Sequence, residues 1–474
     1  MADTLQRRLK ARHLSMIALG GSLGTGIFIT SGSSLYLAGA GGALIAYMVM
    51  GIMVYFLMAS LGEMASHDPA AGSFIKYANQ YVSKPFGFAM GYNYWFNWAI
   101  TIAVELVAAT LIMSYWFPHT NPIIWVALFF CAILALNLLS VEYFGESEYW
   151  LSLVKVLTIV IFIIAGLFII YHDAHTKESA LNNWSSLHTI FSGGFNTTFE
   201  VFLLAGFSFQ GSELVGIAAG EAKNPTKSIP KAIKQVFWRI ILFYILTMFI
   251  ISCTIHYTDS RLLNINDNVS LSPFTLLFAH AGLHHAADMM NAVILIAVLS
   301  ACNSDMYSAT RILWHLGKTG DAPKVFAYIN KFGVPIFSLL ATASFGLLGF
   351  LCNHFGSGNL FIWLVNISSL AGFVAWIGIA ISHYKFRKKY IKDGGNPNAL
   401  IYRARFFPLG PLSAIALCVI IIIGQAYVLF LQGNLSILQA VAIYIGIPII
   451  ALIWLGKKIH LKLTEQNLTD RKHF

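Results

Sequence analysis

The sequence predicts an all-α integral membrane protein with twelve transmembrane helices. Of its 474 residues, 57% are apolar and only 11% are charged, whereas soluble domains carry about 25% charged residues. The mean hydropathy is +0.70, and the apolar runs are spread evenly from one end of the chain to the other. A soluble globule needs more polar surface than this, and a disordered chain has far fewer apolar residues. We therefore expect a single membrane domain over residues 1–474.

The individual spans follow from the apolar runs, because a helix needs about 20 apolar residues to cross a bilayer. Stretches such as 159–170 are apolar on every face, whereas the strands of a membrane barrel alternate in polarity. Two mixed connections, 66–87 and 257–285, predict short helices at the inner and the outer surface. The runs lie at 14–37, 42–63, 89–117, 122–140, 149–171, 198–220, 237–256, 286–315, 335–353, 359–383, 407–431 and 438–456.

The distribution of basic residues predicts the orientation. The chain has 30 Lys and Arg against 20 Asp and Glu, a net charge of +10. With the amino terminus inside, the outer connections contain only Lys177 and Arg261, and Lys155 lies within the fifth run. The other 27 lie in or beside cytoplasmic segments, as the positive-inside rule requires. The excess charge therefore indicates a lipid bilayer as the partner, with both termini cytoplasmic, and not a nucleic acid.

Motifs for enzymes and cofactors are missing. The chain contains no GxxxxGK, HExxH or GxGxxG string. A GxSxG string at 20–24 lies in an apolar span, whereas a nucleophile elbow joins a strand to a helix. Five cysteines in apolar runs, without a CxxC motif, indicate neither disulfides nor a metal site. We expect a protein that is not an enzyme and holds no cofactor.

Two glycine-rich segments interrupt predicted spans. Residues 20–26 (GGSLGTG) lie in span 1 and residues 206–211 (GFSFQG) lie in span 6. Glycine weakens a helix by roughly 1 kcal/mol relative to alanine; close helix packing is the alternative explanation. Paired breaks at corresponding positions of two halves are typical of secondary transporters built from inverted repeats. The repeats would be 14–171 and 198–383, followed by two further helices at 407–456.

Such breaks suit a zwitterionic substrate. Free N–H groups at a helix amino terminus bind anions, so the amides of Thr25–Ile27 can hold a carboxylate. The carbonyls of 206–208 can hold an ammonium group, and Phe207 can close over the substrate. Tyr94 and Trp98, four residues apart on one helix face, are the pocket aromatics, unless that segment is a packed core or an interfacial belt. The predicted substrate-binding residues are Ser22, Gly24, Thr25, Gly26, Ile27, Tyr94, Trp98, Glu105, Gly206, Phe207, Ser208, Gln210 and Glu213.

Ionisable residues within spans are functional candidates, because they are costly to bury in a bilayer. Lys155 lies about two turns into span 5 and is predicted to exchange a proton, unless its side chain extends to the membrane surface. Glu213 can face the substrate, relay a proton or satisfy the broken backbone, and Glu105 has a similar choice. Gating or structural roles are expected for Glu63 and Asp305, and equally for Asn303 and Asp288.

Three long segments resemble the amino acid transporters of the amino acid–polyamine–organocation superfamily. They are RRLKARHLSMIALGGSLGTGIF (7–28), GYNYWFNWAITIAVELVAA (91–109) and GFSFQGSELVGIAAGEAKNP (206–225). The likeness covers nearly the whole chain and is strongest to the bacterial lysine-specific permeases. It implies a leucine-transporter-type fold with a 5+5 inverted repeat and two additional C-terminal helices. It also implies proton-coupled amino acid uptake across the bacterial inner membrane.

The resemblance also implies roles for single residues. Thr25 and Gly26 fall where the family binds the α-carboxylate, and Phe207 falls at its gating aromatic. Lys155 matches a lysine whose ammonium replaces a sodium ion of sodium-coupled relatives, which favours protons. The residues that resemble positions implicated in the lysine permease group are Tyr94, Trp98, Glu213 and Glu221.

These observations predict a proton-coupled symporter of L-lysine that works by alternating access. Glu213 or Glu105 can accept the side-chain ammonium of lysine. Members for neutral and aromatic amino acids also resemble this chain around Glu213, so the preference for lysine rests on overall likeness. A permease for arginine, histidine or a neutral amino acid is the first alternative. An exchanger or an amino acid sensor of the same fold is the second.

Overall fold

The computed structural model describes residues 23–69, 73–138, 141–173, 180–214, 233, 235–262, 272–431 and 444–470. Over these ranges the backbone forms helices joined by turns, and no strand. Eight helices in the described part of the chain are long and apolar enough to cross a membrane, and two shorter apolar helices accompany them. The all-helical membrane fold expected from the sequence is confirmed.

We number the main helices along the chain, and the short helical turns between them are named by their residues where needed. The helices are α1 Gly26–His67, α2 Lys84–Met113, α3 Pro122–Asn137, α4 Val141–Asp173, α5 Gly194–Phe209, α6 Gln235–Thr254, α7 Pro273–His280, α8 His284–Thr319, α9 Ile336–Phe355, α10 Ser357–Lys392, α11 Leu409–Leu431 and α12 Gly446–Asp470.

A sharp kink at Gly39 divides α1. The helix has 42 residues, which at 1.5 Å per residue is about twice the thickness of a bilayer core. Gly39 has φ of 74°, and a Cβ there would lie 2.7 Å from the carbonyl oxygen of Thr189. Only glycine fits both restrictions. Where the sequence predicts two helices with a connection between them, the structure therefore has two helical segments that meet at one glycine.

Helix α2 forms the centre of the molecule. In its most apolar window, 94% of the residues are buried, against 28% in the corresponding window of α4. Helices α8 and α10 pack against α2, while α5 packs against α1. Large apolar side chains of α4, such as Ile164 and Phe168, point outward, which suits contact with lipid. The polar residues at the middle of α2 are thus enclosed by other helices.

Capping residues fix where several helices begin and end. Ser83 accepts a hydrogen bond from the Phe86 amide at 3.3 Å, and a proline follows it in the first turn of α2. Serine caps and first-turn prolines are both favoured at helix amino termini. Gly320, in the left-handed conformation, ends α8.

The two mixed connections each contain a short helix. Residues Ser73–Tyr77 and Ala78–Val82 are helical, as the sequence predicts. The outer connection contains the short helix Ser260–Leu262, where Arg261 is exposed, and α7, whose residues 273–278 are buried. The ring of Phe274 packs against Phe162 at a centroid distance of 4.1 Å. The apolar sequence PFTLLF explains this, since burial removes about 25 cal/mol of unfavourable hydration per Å².

Candidate functional site

The ends of two helices meet at the middle of the bundle. The helical backbone of α1 begins at Thr25 and Gly26, and α5 ends at Phe209 before a turn over 210–213. A Cβ on Gly26 would overlap the Cα of Ser208, so the two chain segments touch. The first N–H groups and the last C=O groups of a helix have no partner within it. The contact therefore places donors of α1 beside acceptors of α5.

A small buried cavity lies at this contact. It encloses about 30 Å³, room for roughly one or two water molecules. An amino acid can therefore enter only if the walls move apart. Helices α1, α2, α5 and α8 supply the wall, and its residues are Gly24, Thr25, Gly26, Trp98, Thr101, Glu105, Phe207, Ser208, Gln210, Ala301 and Asp305.

The ionisable groups on the cavity wall are acidic. Among the described residues that line it, Glu105 and Asp305 have carboxyl side chains and no basic residue is present. Both are almost fully buried, at 3% and 2% exposure. Glu105 accepts a hydrogen bond from the hydroxyl of Thr25. The Oδ2 atom of Asp305 has no hydrogen-bond partner among the described residues, and is thus available to a cationic group in the cavity.

Hydroxyl groups join α1 to the end of α5. The Oγ atom of Ser208 lies 2.9 Å from Oγ1 of Thr30 and 2.8 Å from the Tyr47 hydroxyl. Thr30 in turn donates to the carbonyl of Gly26 at 2.5 Å. This network holds the two helix ends against each other without filling the cavity.

A second network joins α10 to α2 behind the cavity. The side-chain amide of Gln210 donates to the carbonyls of Ser368 and Ser369, both at 3.3 Å. The Ser368 hydroxyl lies 2.7 Å from Oγ1 of Thr101 and donates to Oδ1 of Asn97 at 3.2 Å. Gln210 thus fixes the turn after α5 to α10.

Glu213 does not line the cavity. Its carboxylate accepts hydrogen bonds from the Tyr94 hydroxyl at 3.4 Å and from Nε1 of Trp376 at 3.3 Å. Tyr94 packs edge-on against Trp98, with ring centroids 5.7 Å apart, and only Trp98 reaches the cavity. In this conformation Glu213 is a buried acceptor that ties the turn after α5 to α2 and α10.

Lys155 is fully buried on α4 and does not extend to the membrane surface. Its Nζ lies 3.5 Å from Oε1 of Glu148, which is also fully buried. Glu148 accepts further hydrogen bonds from the hydroxyls of Ser300 at 3.0 Å and Ser152 at 3.4 Å. Ser300 lies on α8, the helix that also carries Asp305. The pair is therefore linked to the acidic wall of the cavity.

Other predicted residues lie elsewhere. Glu63 is near the carboxyl end of α1, where it pairs with Arg387 of α10, and it is treated below. Ile27 and Gly206 are buried but are not part of the cavity wall. Ser22 and Glu221 lie outside the described residues.

Glu148, Thr101 and Ala301 were missed by the sequence analysis. Glu148, Ser152 and Lys155 are spaced four and three residues apart, which places them on one helix face. Thr101 lies three residues after Trp98 and four residues before Glu105, so these three residues also share one helix face. These spacings were a usable signal. Ala301 carries no chemical group that would have singled it out.

Comparison with known proteins places the chain in a family. Residues 13–469 match the amino acid permease family. The chain belongs to the amino acid permease family. Its relatives are transporters and not enzymes, and the expectation that this permease is not an enzyme is confirmed.

Several curated permeases are similar over nearly their whole length. The lysine-specific permease of Escherichia coli is 53% identical, covering 97% of this chain and 94% of that protein. The lysine-specific permease of Lactococcus lactis is 46% identical, covering 96% and 90%. The histidine permease of Lactococcus lactis is 45% identical, covering 96% and 95%. The resemblance to amino acid permeases is thereby confirmed.

The close approach at Gly26 yields a first prediction. Gly26→Ala forces the backbones of α1 and α5 apart, because the new Cβ meets the Cα of Ser208. We expect substrate affinity to fall by about 5- to 140-fold, since overpacking costs about 1–3 kcal/mol and 1.4 kcal/mol is a factor of ten. Binding titration of the purified permease measures this. Gly456→Ala is the control, because no atom lies within 4 Å of a Cβ there; equal affinity in both variants would contradict the prediction.

Proposed function

We propose that this permease is a proton-coupled symporter that carries L-lysine into the cell by alternating access. The observation that carries the proposal is the buried cavity at the helix ends, with Glu105 and Asp305 as its charged wall residues. A cavity with two carboxylates and no basic group favours a substrate with an extra positive charge. Lysine has such a charge, and two similar relatives are lysine-specific permeases.

The cavity suggests how lysine is held. The amides of Thr25–Ile27 at the start of α1 bind the α-carboxylate, because a helix amino terminus attracts anions. The carbonyls of 206–208 at the end of α5 accept hydrogen bonds from the α-ammonium. Asp305, which also lines the cavity, receives the side-chain ammonium, and Glu105 adds a second carboxyl group to the wall.

Movement of the helix ends completes the cycle. The present cavity is too small for an amino acid, so we propose that Phe207 and the bundle containing spans 1 and 6 swing outward to admit it. Transporters of this architecture move one bundle around a midplane site. The architecture we propose has twelve spans: repeats at 14–171 and 198–383 and two helices at 407–456.

Proton coupling is assigned to Lys155. A buried lysine changes its protonation readily, because desolvation disfavours the charged form. Its Nζ lies 3.5 Å from Oε1 of the buried Glu148. Loss of a proton from Lys155 would weaken this network. The protonation of Lys155 would thereby be coupled to the state of the cavity. Glu213 is a second candidate for the proton path, through Tyr94.

The proposal also fixes the location of the protein. The concentration of Lys and Arg on one side supports a cytoplasmic location for both termini. We propose the bacterial inner membrane as the site of action, with lipid, lysine and protons as partners. We propose a gating or structural role for Glu221, as for Glu63.

Histidine is the second candidate substrate, because a histidine permease is 45% identical over 96% of the chain. Histidine carries an imidazole that can be protonated at the acidic wall. Arginine and neutral amino acids, and an exchange or sensory mode, are the further alternatives.

Uptake into proteoliposomes tests the proposal. Labelled lysine should accumulate when an inward pH gradient is imposed without sodium, and a protonophore should abolish the accumulation. Strict dependence on sodium would contradict proton coupling, and a requirement for amino acid inside the vesicles would indicate exchange. Competition by all twenty amino acids tests specificity; histidine displacing lysine at a lower concentration would make histidine the substrate.

A further inference from the structure

A second and much larger cavity lies between α1, α6 and the loop before α11. Its volume is about 580 Å³, and it is separate from the substrate cavity, with which it shares no wall residue. One side is open, since Trp238 and Phe406 on its rim are 59% and 54% exposed. The cavity is therefore a groove in the outer face of the bundle, which we call the aromatic groove.

Aromatic rings form its wall. Tyr55 packs edge-on against Phe237 at 5.6 Å, and Phe56 lies 5.5 Å from Phe406. Phe237 and Trp238 lie in the first turns of α6. Exposed aromatic residues at helix ends are typical of the boundary between lipid tails and headgroups. The open side of the groove is thus suited to an acyl chain.

Two arginines give the groove a positive charge. Arg403 and Arg405 are exposed and line the groove, and no acidic residue is among its described wall residues. Guanidinium groups bind phosphate through paired hydrogen bonds. The charge distribution is therefore the opposite of that in the substrate cavity.

A buried ion cluster anchors the backbone between the two arginines. The amide of Ala404, between them, donates to Oε2 of Glu63 at 2.7 Å. Glu63 also accepts from Nε of Arg387 at 2.5 Å and lies 3.1 Å from Nε2 of His383. Because Glu63, Arg387 and His383 are all buried, the loop is anchored to α1 and α10 at this point. The packing of the fold thus determines where the loop that lines the groove lies. Glu63 positions this loop.

We propose that the aromatic groove binds an anionic phospholipid. Arg403 and Arg405 hold the headgroup phosphate, and an acyl chain lies along Phe237, Trp238 and Phe406. The positive-inside distribution places this loop at the cytoplasmic leaflet, where basic pockets between helices bind anionic headgroups. A soluble phosphate would contact the arginines but not the aromatic wall. A phospholipid would contact both the arginines and the aromatic wall.

Native mass spectrometry with phosphatidylglycerol and phosphatidylethanolamine of identical acyl chains tests the proposal. The intact permease should retain phosphatidylglycerol over phosphatidylethanolamine by about tenfold, which corresponds to about 1.4 kcal/mol. Arg403→Gln with Arg405→Gln should remove that preference. Lys388→Gln with Lys389→Gln is the matched control; both lysines are exposed on α10 and outside the groove, and their loss should leave the preference unchanged.

Two further arms complete the test. Trp238→Ser should lower retention of both lipids, because it removes part of the acyl-chain wall. Glycerol phosphate at the lipid concentration should not displace phosphatidylglycerol. A preference that survives loss of both arginines, or displacement by glycerol phosphate, would overturn the proposal. None of these lipid-binding measurements uses lysine, so their result is independent of the proposed transport activity.

Discussion

Lys155→Arg is expected to fold normally and to bind lysine, yet to lose accumulation driven by a pH gradient. Arginine keeps the positive charge that pairs with Glu148, so the buried ion pair survives. An arginine side chain cannot be deprotonated in a protein, so it cannot release a proton during the cycle. The variant therefore separates a structural role of Lys155, which arginine can fill, from a coupling role, which it cannot.

Neutral substitutions give the complementary result. Lys155→Met leaves the Glu148 carboxylate buried without its cation, and breaking a buried pair in this way costs about 3–5 kcal/mol. Lys155→Met combined with Glu148→Gln removes both charges, which is often close to neutral for stability. We expect the double variant to recover the thermal stability that the single variant loses. Accumulation driven by protons should be absent from both.

Two assays on the same proteoliposomes check this. Uptake driven by a pH gradient reports coupling, and exchange of labelled for unlabelled lysine at equal pH reports the substrate cavity. We expect the first to vanish and the second to persist in Lys155→Arg. If Lys155→Arg accumulated lysine like the unaltered permease, Lys155 would not be the coupling group. If uptake by Glu148→Gln were uncoupled from the pH gradient while uptake by Lys155→Arg stayed coupled, Glu148 would be the coupling group.

The sequence predicted those parts of the molecule in which composition alone is informative. Charges are rare inside apolar runs, so Lys155, Glu105 and Glu213 stood out, and all three are buried. Glycine-rich breaks are equally conspicuous, and the structure brings the segments around Gly26 and Ser208 into contact.

Contacts between helices were beyond sequence reasoning. Membrane helices are apolar on the lipid side as well as in the core, so periodicity does not show which face meets which neighbour. The hydrogen bond from the side-chain amide of Gln210 to the carbonyl of Ser368 joins residues 158 apart, and no local pattern indicates it. Glu148 lies one residue before the predicted run at 149–171, where a carboxylate looks like part of a loop. The burial of α7 and the kink of α1 at Gly39 likewise depend on packing against other helices.

Asp305→Asn is expected to weaken lysine binding by about 10- to 150-fold. A hydrogen bond to a charged group contributes about 1.5–3 kcal/mol, and each 1.4 kcal/mol is a factor of ten. Methionine, which is similar in length to lysine but uncharged, should bind equally well before and after the substitution. The change should thus reduce the preference for lysine over methionine.

Glu105→Gln should have a different effect because Glu105 already has a protein partner. Its carboxylate accepts a hydrogen bond from the hydroxyl of Thr25, beside the amides proposed to hold the α-carboxylate. The amide of glutamine can still accept this bond through its oxygen, so we expect a smaller loss of lysine affinity than in Asp305→Asn. The lysine-to-methionine affinity ratio should fall in both variants, since each removes one negative charge from the wall.

Isothermal titration with lysine and methionine measures the two affinities directly. Asp288→Asn is the matched control, because Asp288 lies on the same helix as Asp305 but is exposed. The lysine-to-methionine affinity ratio of this variant should equal that of the unaltered permease. A parallel loss of lysine and methionine binding in Asp305→Asn would mean that Asp305 only supports the packing of α8 against α2. An unchanged ratio in both cavity variants would remove the acidic wall as the source of specificity. Only a selective loss of lysine fits a cavity whose two carboxylates recognise the side-chain ammonium.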